Sequence, residues 1–304
     1  MSKDIRKITE GSMIVALLGV LFIIDRQSAG ILNYIIAWVV PLPFVIYTAK
    51  HGIKDALVPF VASVFVSIML SSPVFFVFTI MYGLIGIVYG YGVHKKWQSR
   101  YLFFATVVGT SIVFFVTIIL FSAFFGYSIV EDMDMFYQVL DMVEVPPNVN
   151  VQQVVTSSLV VMYSTSVILE AYFIHMISKV VLTRFKIVVA PSKAIESVSF
   201  PRWSGWVMLG SLFIYPISRS LSASEAIVTA TFAIYAWIVI LLLYQAFVFV
   251  IIVQRRYKRK FLLVTVVFAL LLLPTLMIDV LMIIGLLDIL SDMRSKITGV
   301  NNHA

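Results

Sequence analysis

The sequence predicts an all-α fold, a polytopic transmembrane helical bundle of about nine membrane helices with its N-terminus in the cytoplasm. Three observations carry this reading. Hydrophobic residues make up 61% of the chain and charged residues 12%, with a mean hydropathy of +1.04, whereas soluble domains carry about 25% charged residues. The apolar residues form continuous runs on the scale of a bilayer crossing, about 20 residues each. The basic residues fall between those runs in a one-sided pattern. The runs do not alternate in period two, which argues against a β-barrel.

Nine runs meet the description: Ser12–Ile24, Ala29–Thr48, Lys54–Leu70, Pro73–Val93, Tyr101–Tyr127, Val154–Leu182, Trp206–Ser218, Glu225–Val253 and Phe261–Leu290. The first and seventh are short, and the fifth, sixth, eighth and ninth are long enough to tilt. The first follows Lys3, Arg6 and Lys7 and ends at Asp25–Arg26 without an A-x-A-like cleavage site. It is therefore expected to be a membrane helix and not a signal peptide. The ninth contains Pro274, Asp279 and Gly285. It reads as one long kinked pass in preference to a re-entrant hairpin, because either half alone is short for a span.

With the N-terminus placed inside, 18 of the 22 Lys and Arg residues fall in cytoplasmic segments. Only Arg26, Arg219, Arg294 and Lys296 fall outside. This asymmetry is the positive-inside pattern, and it explains the net charge of +7 without any nucleic-acid partner. Because the chain has no cysteine, single cysteines can report the topology. Positions 50, 95 and 255 should be shielded from an impermeant thiol reagent in intact cells and position 144 should react. Labelling at position 95 would overturn the orientation.

The connection Val130–Gln153 is acidic, with Glu131, Asp132, Asp134, Asp141 and Glu144 and no Lys or Arg. Met133, Phe136, Leu140 and Val143 recur at spacings of three and four, so part of it is expected to form an amphipathic helix on the bilayer, stopped by Pro146–Pro147. The basic connector 183–204, with Pro191 and Pro201, is the expected boundary between a six-helix unit over 1–182 and a three-helix unit over 205–304. Val40–Pro41–Leu42–Pro43 either kinks the second span, freeing carbonyls along a cavity, or marks a helix terminus.

Candidate site residues come from polar groups inside the spans. Glu170 lies near the middle of the sixth run and Asp279 near the middle of the ninth. A central carboxylate costs about 2.5–3.5 kcal/mol to insert. Tyr163, Ser166 and Glu170 share a helical face at i, i+3 and i+7, giving a candidate solute- or proton-binding stripe; a hydrogen-bonded Glu that fixes helix packing is the competing reading. His175, five residues from Glu170, is expected on a different face. Gly83, Gly86 and Gly90 share another face, and Ser12 and Ala16 form a small-xxx-small pair. Such positions let helices approach closely, either within the bundle or against a partner. The four histidines have no metal-ligand spacing. No nucleotide-binding loop or hydrolase motif is present. Neither a cofactor, a metal nor an enzymatic activity is expected.

The stretches Thr9–Leu17, Pro41–Leu42–Pro43, and Tyr82–Gly83 with Gly86 and Gly90 resemble the YybS family of bacterial membrane proteins. The first six helices are similar in layout to the substrate-binding S components of energy-coupling-factor transporters. That resemblance implies a multi-pass protein of the bacterial plasma membrane. It also implies that the first helix docks a membrane partner subunit through Ser12 and Ala16, where the family has two alanines. The first outer loop, Asp25–Ser28, is short and three helices are added at the C-terminal side, departures that bear on how a substrate would be covered. The functional expectation is a transporter-type protein, a solute-binding or permeating subunit that depends on partner proteins for energy. The alternative is a non-transport scaffold or regulatory membrane protein.

Overall fold

A computed structural model of the chain describes residues 3–28, 38–125, 128–142, 150–190, 200–221, 223–291 and 297. Residues 29–37 of the second expected span lie outside the described residues. So do Val143, Glu144 and Pro146–Pro147 of the acidic connection, Pro191 and Lys193 of the basic connector, and Arg294 and Lys296. The described residues are helical and contain no strand. Six of their helices are long and apolar enough to cross a membrane: Asp4–Gln27, Ile53–Leu70, Phe75–His94, Ser99–Leu120, Val151–Arg184 and Glu225–Arg256.

The chain divides into two compact units, one over 1–128 and 163–192, the other over 129–162 and 193–304. The second unit resumes inside the expected connector, but it also takes residues 129–162.

In the first unit, α1 (Lys3–Gln27) is a single 25-residue helix. The short run Ser12–Ile24 is only its apolar middle. The chain is helical at Trp38 and Val39 and interrupted at Val40. It resumes as α2 (Pro41–His51), with both prolines in the first turn. Proline is tolerated there because those N–H groups have no intrahelical acceptor. The prolines thus start a helix. Next come α3 (Ile53–Leu70) and α4 (Pro73–His94). Ser72 caps α4, its Oγ accepting from the Phe75 N–H at 3.3 Å, with Pro73 in the first turn. α5 (Ser99–Phe125) follows.

α4 is the centre of this unit. Of its apolar window 61% is buried, against 22–39% for the other five long helices. Glycine makes this possible. A Cβ at Gly86 would collide with the Pro41 carbonyl oxygen and come within 3.0 Å of the Phe44 Cβ. At Gly90 it would lie 2.7 Å from the Val45 carbonyl oxygen, and at Gly83 2.7 Å from the Phe60 ring. The glycine face of α4 is therefore filled by α2 and α3. α1 packs on α3 in the same way but more loosely, with Gly11 against Pro59 and Gly19 against Val66. An ionic cluster ties the basic ends together. Glu10 meets His51 at 2.9 Å and Arg6 at 2.9 Å, and Lys7 meets Asp55 at 2.6 Å. Each of these exposed or half-buried pairs is worth under about 1 kcal/mol.

In the second unit, α6 (Ile129–Asp141) is the expected amphipathic helix. Met133, Phe136 and Leu140 are half-buried while Glu131 and Asp134 are exposed. α7 (Val151–Arg184) begins in this unit and enters the first at Tyr163. The seventh expected span is two short helices, α8 (Arg202–Leu212) and α9 (Ile214–Ser220), interrupted at Phe213. α10 (Glu225–Arg256) is continuous. The ninth expected span is not one kinked helix. It breaks at Leu273, where φ is −133° and ψ 64°, into α11 (Leu262–Leu272) and α12 (Pro274–Leu290). The physical reason is Pro274, which disfavours helical geometry in the preceding residue and begins the next helix. α12 packs closely along α10: a Cβ at Gly285 would collide with the Leu242 carbonyl.

Three helices, α4, α7 and α10, end alike. Lys96, Lys186 and Lys258 have φ of 59°, 57° and 53°, the only non-glycine residues at positive φ among those described. In each case the next N–H bonds five residues back: Trp97 to Gly92 (2.8 Å), Ile187 to Leu182 (2.9 Å) and Arg259 to Gln254 (3.1 Å). This is the Schellman stop, usually made with glycine. A lysine there costs roughly 1 kcal/mol in backbone strain, partly offset by its charge at the negative end of the helix dipole. Lys186→Gly should accordingly raise stability by about 1 kcal/mol, read as a higher unfolding temperature in detergent. A lower temperature would show that the lysine charge outweighs its strain.

Candidate functional site: a tyrosine–carboxylate seam between α4 and α7

The candidate site lies in the first unit, where α7 faces α4 and α5. Tyr82 and Tyr89 sit seven residues apart on one face of α4, about 10 Å along the axis, and both are buried. Each reaches a titratable side chain of α7. The Tyr82 hydroxyl donates a short hydrogen bond to Glu170 Oε1. The Tyr89 hydroxyl lies 3.0 Å from His175 Nδ1 and 3.5 Å from the His175 carbonyl. Glu170 thus points into the bundle and has a partner, as an intramembrane carboxylate must to avoid an uncompensated charge.

His175 extends the seam toward the basic end. Its Nε2 is 3.2 Å from Ser99 Oγ, and Lys179 Nζ donates to the same Oγ at 3.2 Å. One order of bonds fits these distances. Lys179 donates to Ser99, Ser99 to His175 Nε2, His175 Nδ1–H to Tyr89, and Tyr89 to the His175 carbonyl. His175 is then neutral. Rings close the walls: Phe103 packs on His175 with centroids 5.7 Å apart, and Trp38 stacks on Phe173 at 5.3 Å.

The structure distributes the expected site residues as follows. Tyr163 is half-buried, its ring 5.2 Å from that of Phe114. Ser166, on the expected stripe with Glu170, is exposed. Asp279 belongs to the second unit and is exposed on α12. Ser12 and Ala16 are exposed on α1, whereas Gly83, Gly86 and Gly90 are buried inside the first unit. His175 does lie on a different part of α7 from Glu170, yet α4 gathers both because its tyrosines supply two reaching side chains.

Three partners are visible only in the fold. Tyr82 and Tyr89 read as ordinary apolar-helix aromatics in sequence. Their seven-residue spacing is the one signal that could have paired them with α7. Asp288 on α12 is buried and accepts from Gln245 Nε2 of α10 at 2.6 Å. It lies near the end of its apolar run, where a carboxylate looks like a solvated terminus. Among the described residues no group of three or more His, Asp or Glu side chains is placed to hold a metal ion. Chemically, the α4–α7 seam offers a carboxylate and a phenol hydroxyl that share one hydrogen bond, Glu170 and Tyr82.

A family model described as "Predicted membrane protein (DUF2232)" matches residues 16–145, somewhat less than half of the chain. That segment carries the glycine face of α4 and Tyr82 and Tyr89, but neither Glu170 nor His175. No curated protein and no solved structure matches the chain.

Proposed function

We propose that this integral membrane protein is of transporter type, a solute-binding or permeating subunit that depends on partner proteins for its energy. The observation that supports the reading is the Tyr82–Glu170 pair, a carboxylate kept inside an apolar bundle, where insertion costs about 2.5–3.5 kcal/mol. The His175–Ser99–Lys179 chain supports it, by extending polar groups from the pair toward the basic helix ends. The likeness to YybS proteins and to energy-coupling-factor S components belongs to the same reading, and the bacterial plasma membrane is part of the proposal. It also gives Ser12 and Ala16, exposed on α1, the role of docking a membrane partner.

The test is native purification of wild type and Glu170→Gln with mass spectrometry of co-purifying small molecules. The amide keeps size and hydrogen-bonding capacity, so the variant should fold with an unchanged melting temperature and lose the bound solute. Equal small-molecule content in both, or none in either, would sink the reading.

One observation favours the alternative of a membrane scaffold. Ser12 and Ala16 of α1 lie uncovered whatever the seam does. If Glu170→Gln leaves partner co-purification and cellular phenotype intact while Ser12→Leu abolishes both, scaffolding is the better description.

A further inference from the structure

Along the outer side of α4 and α5 runs an apolar groove of about 700 Å³. Its floor is Ile85, buried, over which Gly109 leaves no room for a Cβ: one would stand 2.9 Å from Ile85 Cγ1. Its rims are Leu84 and Val88 on one side and Phe104 and Val108 on the other, all exposed. The groove is almost entirely apolar from Met81 and Val113 at its deep end to Trp97 and Tyr101 at the other. The thirteen residues from Tyr101 to Val113 are helical and rise about 18 Å. That is roughly one leaflet of a hydrocarbon core about 30 Å thick. The aromatic pair stands where aromatic residues gather at a membrane interface.

Beyond the shallow end, outside the groove's own lining, the turn that joins the two helices is cationic: Lys95, Lys96 and Arg100 are exposed in it or beside it. Arg100 lies over the Tyr101 ring at 4.8 Å, its Nη2 donating to the Tyr101 hydroxyl at 3.2 Å, and Lys95 lies 5.9 Å from the Tyr91 ring centre. No acidic side chain lies between residues 56 and 130, so neither helix carries a carboxylate to neutralise these charges. An apolar trough one leaflet long with three cations at its interfacial end matches a lipid with a fatty chain and an anionic headgroup.

We propose that the α4–α5 groove binds one anionic phospholipid, an acyl chain lying along Leu84, Val88, Phe104 and Val108 and the phosphate held by Lys95, Lys96 and Arg100. The site is separate from the α4–α7 seam and does not depend on what that seam carries. A lipid here covers the open side of the central helix.

The full chain, purified in detergent with equimolar phosphatidylglycerol and phosphatidylcholine of the same chains, should retain one phosphatidylglycerol in native mass spectrometry. Each neutralised cation should lower that retention roughly fivefold, since a basic residue near an anionic lipid is worth about 1 kcal/mol. Lys95→Gln, Lys96→Gln and Arg100→Gln together should erase the preference. Ala105→Trp, filling the groove, should release either lipid; Val108→Trp, at the lipid-facing rim, serves if the first variant does not fold. Equal retention of the two lipids by wild type would overturn the proposal, as would lipid retention unchanged by the tryptophans. A protein recovered in fixed ratio and cross-linked from position 108 would overturn it too, making the groove a helix dock.

Discussion

Gly86→Leu should leave little folded protein in the membrane, with destabilisation above the roughly 1–3 kcal/mol usual for an overpacked core. The reason is what the side chain meets. A Cβ at Gly86 already collides with the Pro41 carbonyl oxygen, which is backbone at the start of α2. A flexible side chain could swing away; a helix end cannot, and α2 and α4 would have to part along their whole contact. Even Gly86→Ala should lower the unfolding temperature. Gly210 is the control, since nothing lies within 4 Å of a Cβ there. Gly210→Ala should be neutral or stabilising by up to about 1 kcal/mol. Equal melting temperatures for Gly86→Ala and wild type would show that the α2–α4 contact is slack.

The second large effect belongs to the buried pair of α10 and α12. Gln245 is fully buried, and its Nε2 bonds Asp288 while its Oε1 has no hydrogen-bond partner. Asp288→Ala would leave the whole amide unpaired in an apolar surround. An orphaned buried polar group costs about 1–3 kcal/mol, so the variant should unfold at a distinctly lower temperature. Replacing both groups by leucine removes the need for any partner and should recover most of the loss. A double variant no more stable than the single one would show that Asp288 has its main role elsewhere.

These two contacts illustrate what was legible in the sequence. The glycine spacing of α4 was visible because small residues at i, i+3 and i+7 need no partner to be recognised as a face. Its filling by α2 was not, because Pro41 reads equally as a kink or a start until its carbonyl is seen against Gly86. Glu170 stood out as a lone carboxylate in an apolar run. Tyr82 did not, since a tyrosine among twenty apolar residues carries no mark of the hydrogen bond it will make. Asp288 lay close enough to its helix end to pass for solvated. The break at Leu273 was foreshadowed by Pro274, but continuous hydropathy across 261–290 hid the fact that two helices share one apolar run.

The three lysines in left-handed conformation have a consequence for how the chain is made. During synthesis a segment's orientation is decided while it leaves the ribosome, and retained positive charge is what the insertion machinery responds to. In α4, α7 and α10 the residue that supplies charge also reverses the backbone and ends the helix. Glycine would end these helices with less strain and would take one charge from each cluster, leaving Lys95 and Arg100, Arg184, and Arg255, Arg256, Arg259 and Lys260 in place. Each lysine at 96, 186 and 258 thus serves twice, as one of the basic residues to which insertion responds and as the residue that turns the chain out of its helix.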